Sequence, residues 1–144
     1  MAIRTGTAEW NGSLTDGTGR MGTGSGAIEG AAYSAQSRFA EGSGTNPEEL
    51  IGAAHAGCFS MALSGVLAEQ GHPPESLRTE AKVQILKQGE GYAVTRIDLA
   101  TTGRVPGIDD AAFQSAAQAA KDNCPISKAL AAVPEINLEA TLES

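Results

Sequence analysis

The sequence is poor in positive charge and in aromatic side chains. It has 10 Lys plus Arg against 17 Asp plus Glu, a formal net charge of −7, and no basic block occurs along its 144 residues. This balance disfavours nucleic-acid binding and binding to an anionic membrane surface. Aromatic residues make up only 4% of the chain, while it contains 18 glycines, well above the usual share of about 7%. The core must therefore be built from small and aliphatic side chains.

Cysteine is also scarce. Cys58 and Cys124 are the only two in the sequence, whereas a small secreted domain usually carries a denser disulfide framework. The first ten residues have no apolar stretch of the kind found in a signal peptide. Residues 50–68 contain no charged side chain and are nearly long enough to cross a bilayer, but they are rich in Gly, Ala and Ser and include His55. We interpret them as a buried helix of a cytoplasmic protein.

A chain of this length can bury a sizeable core, and we expect one domain over residues 1–144. Short alternating segments at residues 3–10 and 33–39, separated by turn-rich runs, predict strands of an antiparallel meander. Residues 17–22 match the dinucleotide pattern GxGxxG, but a glycine-rich run follows them instead of an apolar helix. A nucleotide site is therefore not expected.

The strongest helix signal begins at Asn46, an N-cap followed by Pro47 and, at the third helical position, Glu49. This helix should run to about residue 70 and end at Gly71. It is apolar or small on every side, which in a soluble protein predicts enclosure on every side. Few elements remain in so short a chain, so a partner subunit is expected to provide a second wall.

The second half of the chain predicts one more sheet and two more helices. Residues 77–85 and 92–101 alternate apolar and polar side chains around a glycine-containing turn, as in a hairpin with one buried face. An alanine-rich helix from Asp109 to Lys121, a short helix over residues 125–132 and an edge strand over residues 136–142 follow. This order predicts an α+β fold with helices segregated on an antiparallel sheet.

Two cysteines and one histidine are candidates for chemistry. Cys124 precedes Pro125 and so stands at or beside the N-cap of the short helix, where free N–H groups lower a thiol pKa. Cys58 lies within the long helix, where most free cysteines are small buried hydrophobes. His55, three residues earlier, could contact that thiol, although a hydrogen-bonded helix histidine explains it as well. Spacing alone does not pair the cysteines, and the spacing typical of zinc ligands is lacking.

Two blocks of the sequence carry a family resemblance. They are Arg38-Phe39 with residues 44–64, which read GTNPEELIGAAHAGCFSMALS, and residues 123–128, which read NCPISK. In residue type, spacing and chain length they resemble the OsmC/Ohr family, and within it the OsmC (osmotically inducible protein C) branch. The resemblance implies an α+β fold in which antiparallel sheets wrap around the long central helices of an intertwined homodimer. It also implies a thiol-dependent peroxidase that reduces organic hydroperoxides in defence against oxidative or osmotic stress.

The resemblance implies roles for four residues. Cys58 matches the family's peroxidatic cysteine, Cys124 its resolving cysteine, and Arg38 and Glu49 the charged pair that activates the thiol. The implied cycle passes through a Cys58 sulfenic acid and a Cys58–Cys124 disulfide. It needs no bound cofactor or metal, and the implied reductant is an external dithiol or a lipoyl-bearing protein.

Helix geometry adds a condition to these roles. Glu49 and Cys58 are nine residues apart on the predicted helix, which separates them by half a turn and by about 13 Å along the axis. If both act in one site, the partner subunit supplies Glu49 or Arg38 bridges the gap, and we expect a site shared between subunits. The apolar neighbours Phe59 and Met61 favour bulky organic peroxides over hydrogen peroxide.

Two other functions fit the same residues less well. The first is a non-enzymatic stress or small-molecule binding protein on the same fold, with both cysteines structural. The second is a general thiol–disulfide exchanger, which the lack of a CxxC motif disfavours.

Overall fold

A computed structural model of the chain describes residues 1–143, over which six strands and four helices form. The chain divides into two compact units, residues 1–50 and the residues from Ile51 onward. Each unit contains one three-stranded sheet. The single domain predicted from chain length remains a prediction.

The sheet of the first unit is the predicted antiparallel meander. Strand β1 (Gly6–Asn11) pairs with β2 (Thr18–Thr23), and β2 pairs with β3 (Ala31–Tyr33). The segment that matches GxGxxG runs into β2, so it forms part of a strand and not a loop before a helix.

The strand predicted over residues 33–39 is wrong beyond Tyr33. Ala35–Phe39 form a short helix, α1, whose N-cap is Ser34. The Ser34 hydroxyl accepts from the N–H of Ser37, and the Ser37 hydroxyl accepts from the N–H of Ser34. This reciprocal cap satisfies two backbone donors that would otherwise lack partners. Arg38 therefore lies on a helix and not at the end of a strand.

Helix α2 (Pro47–Glu69) begins and ends as predicted. Asn46 Oδ1 accepts from the N–H of Glu49 at 2.8 Å, the geometry of an N-cap. Past the other end, Gly71 has a φ of +83°, and His72 N–H donates to Leu67 O at 2.9 Å. This left-handed glycine reverses the chain and satisfies a carbonyl at the end of the helix.

The chain itself encloses only one face of α2, so the predicted enclosure on every side needs the partner subunit that the sequence leads us to expect, and this stays a prediction. The buried residues recur every three or four positions and are Glu48, Gly52, His55, Phe59, Leu63 and Leu67. The exposed residues on another face recur in the same way and are Ala54, Gly57, Met61, Gly65 and Ala68, and we call this set the open face of α2. By length and composition alone, α2 is long and apolar enough to cross a membrane, and 28% of its most apolar stretch is buried.

The second unit contains the predicted hairpin of β4 (Ser76–Gln88) and β5 (Gly91–Arg104). Strand β6 (Glu135–Glu143) pairs with β5 in parallel, so the prediction of a wholly antiparallel sheet is wrong at this strand. A parallel neighbour needs a crossover connection. Helices α3 (Asp110–Asn123) and α4 (Pro125–Ala129) form part of that connection.

The core of the second unit combines α2, β5 and α3. Its largest fully buried apolar side chains are Phe59, Leu63, Leu67, Ile97, Leu99 and Phe113. Gly103 on β5 makes room for Phe113, because a Cβ at this position would lie 2.7 Å from the phenyl ring. Three buried alanines of α3 complete the layer, at positions 116, 117 and 120. The core is thus small and aliphatic with two phenylalanines, as the composition predicts.

Candidate active site

The two cysteines meet in the second unit. Cys58 of α2 and Cys124 are 66 positions apart in sequence, and their Sγ atoms lie 2.8 Å apart as free thiols. Cys124 is fully buried, whereas Cys58 is only partly buried. Because the sulfurs already touch, disulfide formation needs little movement of either side chain.

Cys124 occupies the junction of two helices. Its N–H donates to Ala120 O at 2.9 Å and closes the last turn of α3. The same residue is the N-cap of α4, with Pro125 at the first helical position. The prediction that Cys124 stands at a helix N-terminus is therefore confirmed, and the position of its sulfur is fixed by two helices at once.

The pKa values of the two thiols are shifted in opposite directions. Burial raises the pKa of the Cys58 thiol, the contact with Cys124 raises it further, and the Ile126 N–H opposes this only in part. Burial also acts to raise the pKa of Cys124, but interactions with Cys58, with the N–H groups of Ser127 and Ile126, and with the Ser127 hydroxyl outweigh it and lower that pKa. The buried Cys124 thiol is thus the more acidic member, and the pKa of the partly buried Cys58 thiol stays raised despite the Ile126 N–H.

His55 contacts a hydroxyl in the same unit. It is fully buried, and its Nε2 lies 2.7 Å from Ser127 Oγ. Within residues 1–143, its Nδ1 has no hydrogen-bond partner. Burial lowers the pKa of His55, which favours the neutral imidazole. In the described part of the chain, no three His, Cys, Asp or Glu side chains gather as metal ligands would.

A charged pair lies in the first unit. Arg38 Nη2 is 2.8 Å from Glu48 Oε1, and Arg38 Nε donates to both carboxylate oxygens at 3.1 and 3.3 Å. The Glu48 side chain is 8% exposed and that of Arg38 36% exposed. The guanidinium also lies over the Phe39 ring, 5.1 Å from its centroid. A charge-assisted pair of this kind fixes the plane of the guanidinium while leaving an edge accessible.

The pairing predicted for Glu49 belongs to Glu48. Glu49 is exposed, and its carboxylate accepts from the Thr45 hydroxyl. Successive helix residues point about 100° apart, so two adjacent carboxylates cannot face the same guanidinium equally. Glu48 lies on the buried face of α2 and Glu49 does not. That helical phase was readable in the sequence and would have favoured Glu48.

A cavity of about 440 Å³ adjoins the charged pair in the first unit, and its lining includes Trp10, Leu14, Tyr33, Arg38 and Phe39. The rings of Trp10 and Tyr33 are tilted against each other with centroids 5.3 Å apart. Apolar walls beside one cation suit a molecule with an apolar body and a polar end. The two apolar residues singled out beside Cys58 lie elsewhere, since Phe59 is in the core and Met61 is 78% exposed.

The sequence pattern of the family described as OsmC-like protein matches residues 40–139. The chain belongs to the OsmC-like family. Among curated relatives of this OsmC-like protein, Peroxiredoxin OsmC of Escherichia coli (strain K12) is 47% identical over 139 residues, 96% of each chain. Organic hydroperoxide resistance protein OhrB of Bacillus subtilis is 33% identical over 96 residues, 67% of this chain and 69% of the relative.

The fold agrees with this membership. The solved structure of an OsmC like protein from Mycoplasma pneumoniae superposes with a TM-score of 0.76 at 16% identity and covers 99% of both chains. At so low an identity the likeness concerns the fold alone. The α+β OsmC-like fold implied by the sequence resemblance is confirmed.

Proposed function

We propose that this OsmC-like protein is a peroxiredoxin-type enzyme that reduces organic hydroperoxides to alcohols. The observation that carries the proposal is the contact of Cys58 with Cys124 across 66 positions of sequence, one thiol accessible and the other buried. Curated relatives named as a peroxiredoxin and as an organic hydroperoxide resistance protein support it. The role that we assign to this activity is defence against oxidative or osmotic stress in the cytoplasm.

The cycle has three chemical steps. The Cys58 thiolate attacks one oxygen of the peroxide, an S–O bond forms, the O–O bond breaks, and the departing alkoxide takes a proton to become the alcohol. The Cys124 thiolate then attacks the sulfur of the Cys58 sulfenic acid, an S–S bond forms, and hydroxide leaves as water after taking a proton. An external dithiol, free or carried as a lipoyl group, reduces the disulfide and is itself oxidised to a disulfide.

Arg38 supplies a positive charge, which is missing among the groups that shift the pKa of Cys58. The groups that shift the pKa of Cys58 are Cys124 and Ile126, and neither is a cation. Lowering a thiol pKa increases the thiolate fraction, but nucleophilicity falls with a slope of about 0.4–0.5 and cancels most of the gain. The larger benefit of the guanidinium is therefore to stabilise negative charge on the departing alkoxide. Glu48, in place of the predicted Glu49, holds the guanidinium for this role.

The site requires a second copy of the chain. Glu48 and Cys58 are ten residues apart on α2, which separates their backbones by about 15 Å along the axis. A guanidinium anchored on Glu48 is therefore far from the thiol of its own helix. The open face of α2 is apolar, and a Cβ at Gly57 or Gly65 would meet nothing within 4 Å. We assign this face to the partner in a homodimer, whose Arg38 and Glu48 complete the site at Cys58.

A mixing experiment tests the shared site. Cys58→Ser and Arg38→Ala chains, each inactive alone, are co-expressed so that mixed dimers form. If Arg38 acts on the partner's thiol, each mixed dimer contains one intact site, and the mixture regains about a quarter of wild-type activity by random pairing. No recovery in a mixture shown by mass to contain mixed dimers would contradict the shared site.

The peroxidase activity itself is tested on the thiols. Reduced protein is mixed with one equivalent of tert-butyl hydroperoxide or hydrogen peroxide, and free thiols and intact mass are measured with time. We expect loss of both thiols and a mass decrease of about two hydrogens, faster with the organic peroxide. Two thiols unchanged after minutes would contradict the proposal and would favour a binding protein with structural cysteines.

A further inference from the structure

His55 and Ser127 are two buried polar residues that the cycle above does not use. Ser127 interacts with Cys124 through its N–H and its hydroxyl, and neither His55 nor Ser127 lines the cavity of the first unit. His55 precedes Cys58 by three residues on α2, and Ser127 follows Cys124 by three residues on α4. The hydrogen bond between them, 2.7 Å long, therefore joins the two elements that carry the two sulfurs.

The protonation state of His55 determines which of the two residues donates this hydrogen bond. His55 is fully buried and its Nδ1 is unpartnered among the described residues. A buried imidazole with one unpartnered nitrogen is costly to charge, so it stays neutral with a single N–H. Placing that N–H on Nε2 lets it donate to Ser127 Oγ, and the Ser127 hydroxyl is then free to donate its own hydrogen to the Cys124 sulfur.

We propose that His55 and Ser127 are positioning residues for the resolving step, in which the His55 Nε2–H donates to Ser127 Oγ and the Ser127 O–H donates to the Cys124 thiolate. This inference rests on the proposed peroxidase cycle and adds two residues to it. The hydrogen bond stabilises the Cys124 thiolate and aims it at the sulfur of Cys58 sulfenic acid. The S–S bond forms, the S–O bond breaks, and hydroxide leaves and takes a proton from solvent to become water. The lowered pKa of Cys124 is in line with such a donor.

The alternative is that the bond only ties α2 to α4. The two roles differ in which step slows when the bond is lost. A tie that holds the fold together affects stability and every step alike. A donor to Cys124 affects resolution far more than the first step, because Cys124 forms no bond to the peroxide and touches that step only through its contact with Cys58. Slow resolution also lengthens the life of the sulfenic acid and exposes it to a second peroxide.

Rapid quenching after one equivalent of tert-butyl hydroperoxide separates the steps. Dimedone in the quench traps the sulfenic acid, and intact mass distinguishes the trapped adduct, the disulfide and the sulfinic acid. For Ser127→Ala we expect loss of peroxide at the wild-type rate, resolution slowed about tenfold because the Cys124 sulfur is no longer held in line with the sulfur of Cys58, and sulfinic acid at lower peroxide concentrations. Ser127→Thr, which keeps the hydroxyl, should resolve within about twofold of wild type.

If Ser127→Ala folds poorly, variants of His55 test the same hydrogen bond from its other end. His55→Leu removes the donor and should slow resolution, whereas His55→Gln restores an N–H donor of similar reach and should recover most of the rate. Ser60→Ala is the matched control, since Ser60 also lies on α2 and its half-buried hydroxyl bonds Thr79 at 2.8 Å, away from the sulfurs. It should leave both steps unchanged.

The results that would overturn this inference differ from the result that would overturn the proposed peroxidase function. Wild-type resolution in both Ser127→Ala and His55→Leu would overturn the inference, as would equal slowing of both steps in these variants. Failure of the wild-type protein to lose its thiols at all would instead overturn the proposed peroxidase function.

Discussion

The charged pair of the first unit and the thiol pair of the second unit share one asymmetry. In each pair one member is held inside the protein, Glu48 with its side chain 8% exposed and Cys124 fully buried. The other member, Arg38 or Cys58, remains accessible. The two pairs differ in what the buried member does. Glu48 holds its partner by charge and geometry, whereas Cys124 makes the Cys58 thiol less acidic.

This difference corresponds to two separate tasks in the proposed cycle, activation of the peroxide and resolution of the oxidised sulfur. In the proposed cycle the thiol pair favours the second step, since Cys124, whose pKa is lowered, is the buried sulfur that resolves. The first step then depends on a cation from outside the pair. The proposed cycle thus assigns activation of the peroxide and protection of the oxidised sulfur to different units of the chain, and the predictions below separate these two roles.

The largest effect is expected from the cysteines. Cys58→Ser should abolish turnover, because no other thiol is accessible to the peroxide, while Cys124→Ser should reduce about one equivalent and then stall or over-oxidise. Turnover assays with a dithiol, alongside intact mass of the stalled protein, distinguish the two variants. Steady turnover by Cys58→Ser would show that the roles are assigned to the wrong sulfurs.

The next effect is expected from the charged pair. Arg38→Ala should lower kcat/KM for an alkyl hydroperoxide by about 10²–10³, the loss typical of one group that stabilises charge in the transition state. Glu48→Gln keeps the size but loses the charge, and should cost about tenfold. Glu49→Gln is the matched control on the neighbouring residue and should stay within about twofold. A larger loss at Glu49 than at Glu48 would restore the pairing that the sequence alone suggested.

A third effect is expected on assembly. Met61, 78% exposed at the middle of the open face of α2, should be buried against a second copy. Met61→Lys would place an unpaired charge there and should weaken the dimer by at least about tenfold. Sedimentation at several concentrations measures this, with Leu86→Lys, an exposed apolar residue of β4, as control. A wild-type protein that sediments as a fully active monomer would contradict the shared site.

The smallest effect is expected on the pH dependence of stability. Burial holds the pKa of His55 below its usual value of about 6.5. In the unfolded chain His55 binds a proton at a higher pH than in the folded chain, so the free energy of unfolding falls as the pH is lowered from above the unfolded pKa through the folded pKa. His55→Gln should flatten this slope at and below about pH 6.5, the usual pKa of a histidine in an unfolded chain. Equal slopes in urea titrations of wild type and His55→Gln would contradict the assignment.

Local signals predicted most of the elements. The Asn46 cap, the terminal Gly71 and the alternation of β4 and β5 each depend on residues close in sequence, and each was read correctly. The five residues of α1 are too few to show a helical period, so the alternating residues 33–39 resembled a strand. The direction of β6 depends on the path of the chain before it, which alternation does not encode.

The sequence predicts a residue of the candidate site only where a motif, or the residue's position on one face of a helix, indicates it. Cys124 as an N-cap follows from the proline after it. Its contact with Cys58 joins positions 66 apart and depends on how α2 packs against α3 and α4, which no local rule supplies. Ser127 gave no signal of its own, because a serine in the first turn of a helix is ordinary in any sequence. The position of His55 three residues before Cys58 marks it as a candidate, but its hydrogen bond to Ser127 depends on how α2 packs against α4.

The burial of Cys124 at the start of α4 also decides how the disulfide is opened again. In the proposed cycle an incoming thiolate reaches the partly buried sulfur of Cys58 and not the fully buried sulfur of Cys124, so the mixed disulfide with the reductant forms at Cys58 and Cys124 departs. The backbone N–H groups of Ile126 and Ser127 that lower the pKa of Cys124 make it a good leaving group. The same turn of helix that completes oxidation therefore sets the order of bond exchange in recycling.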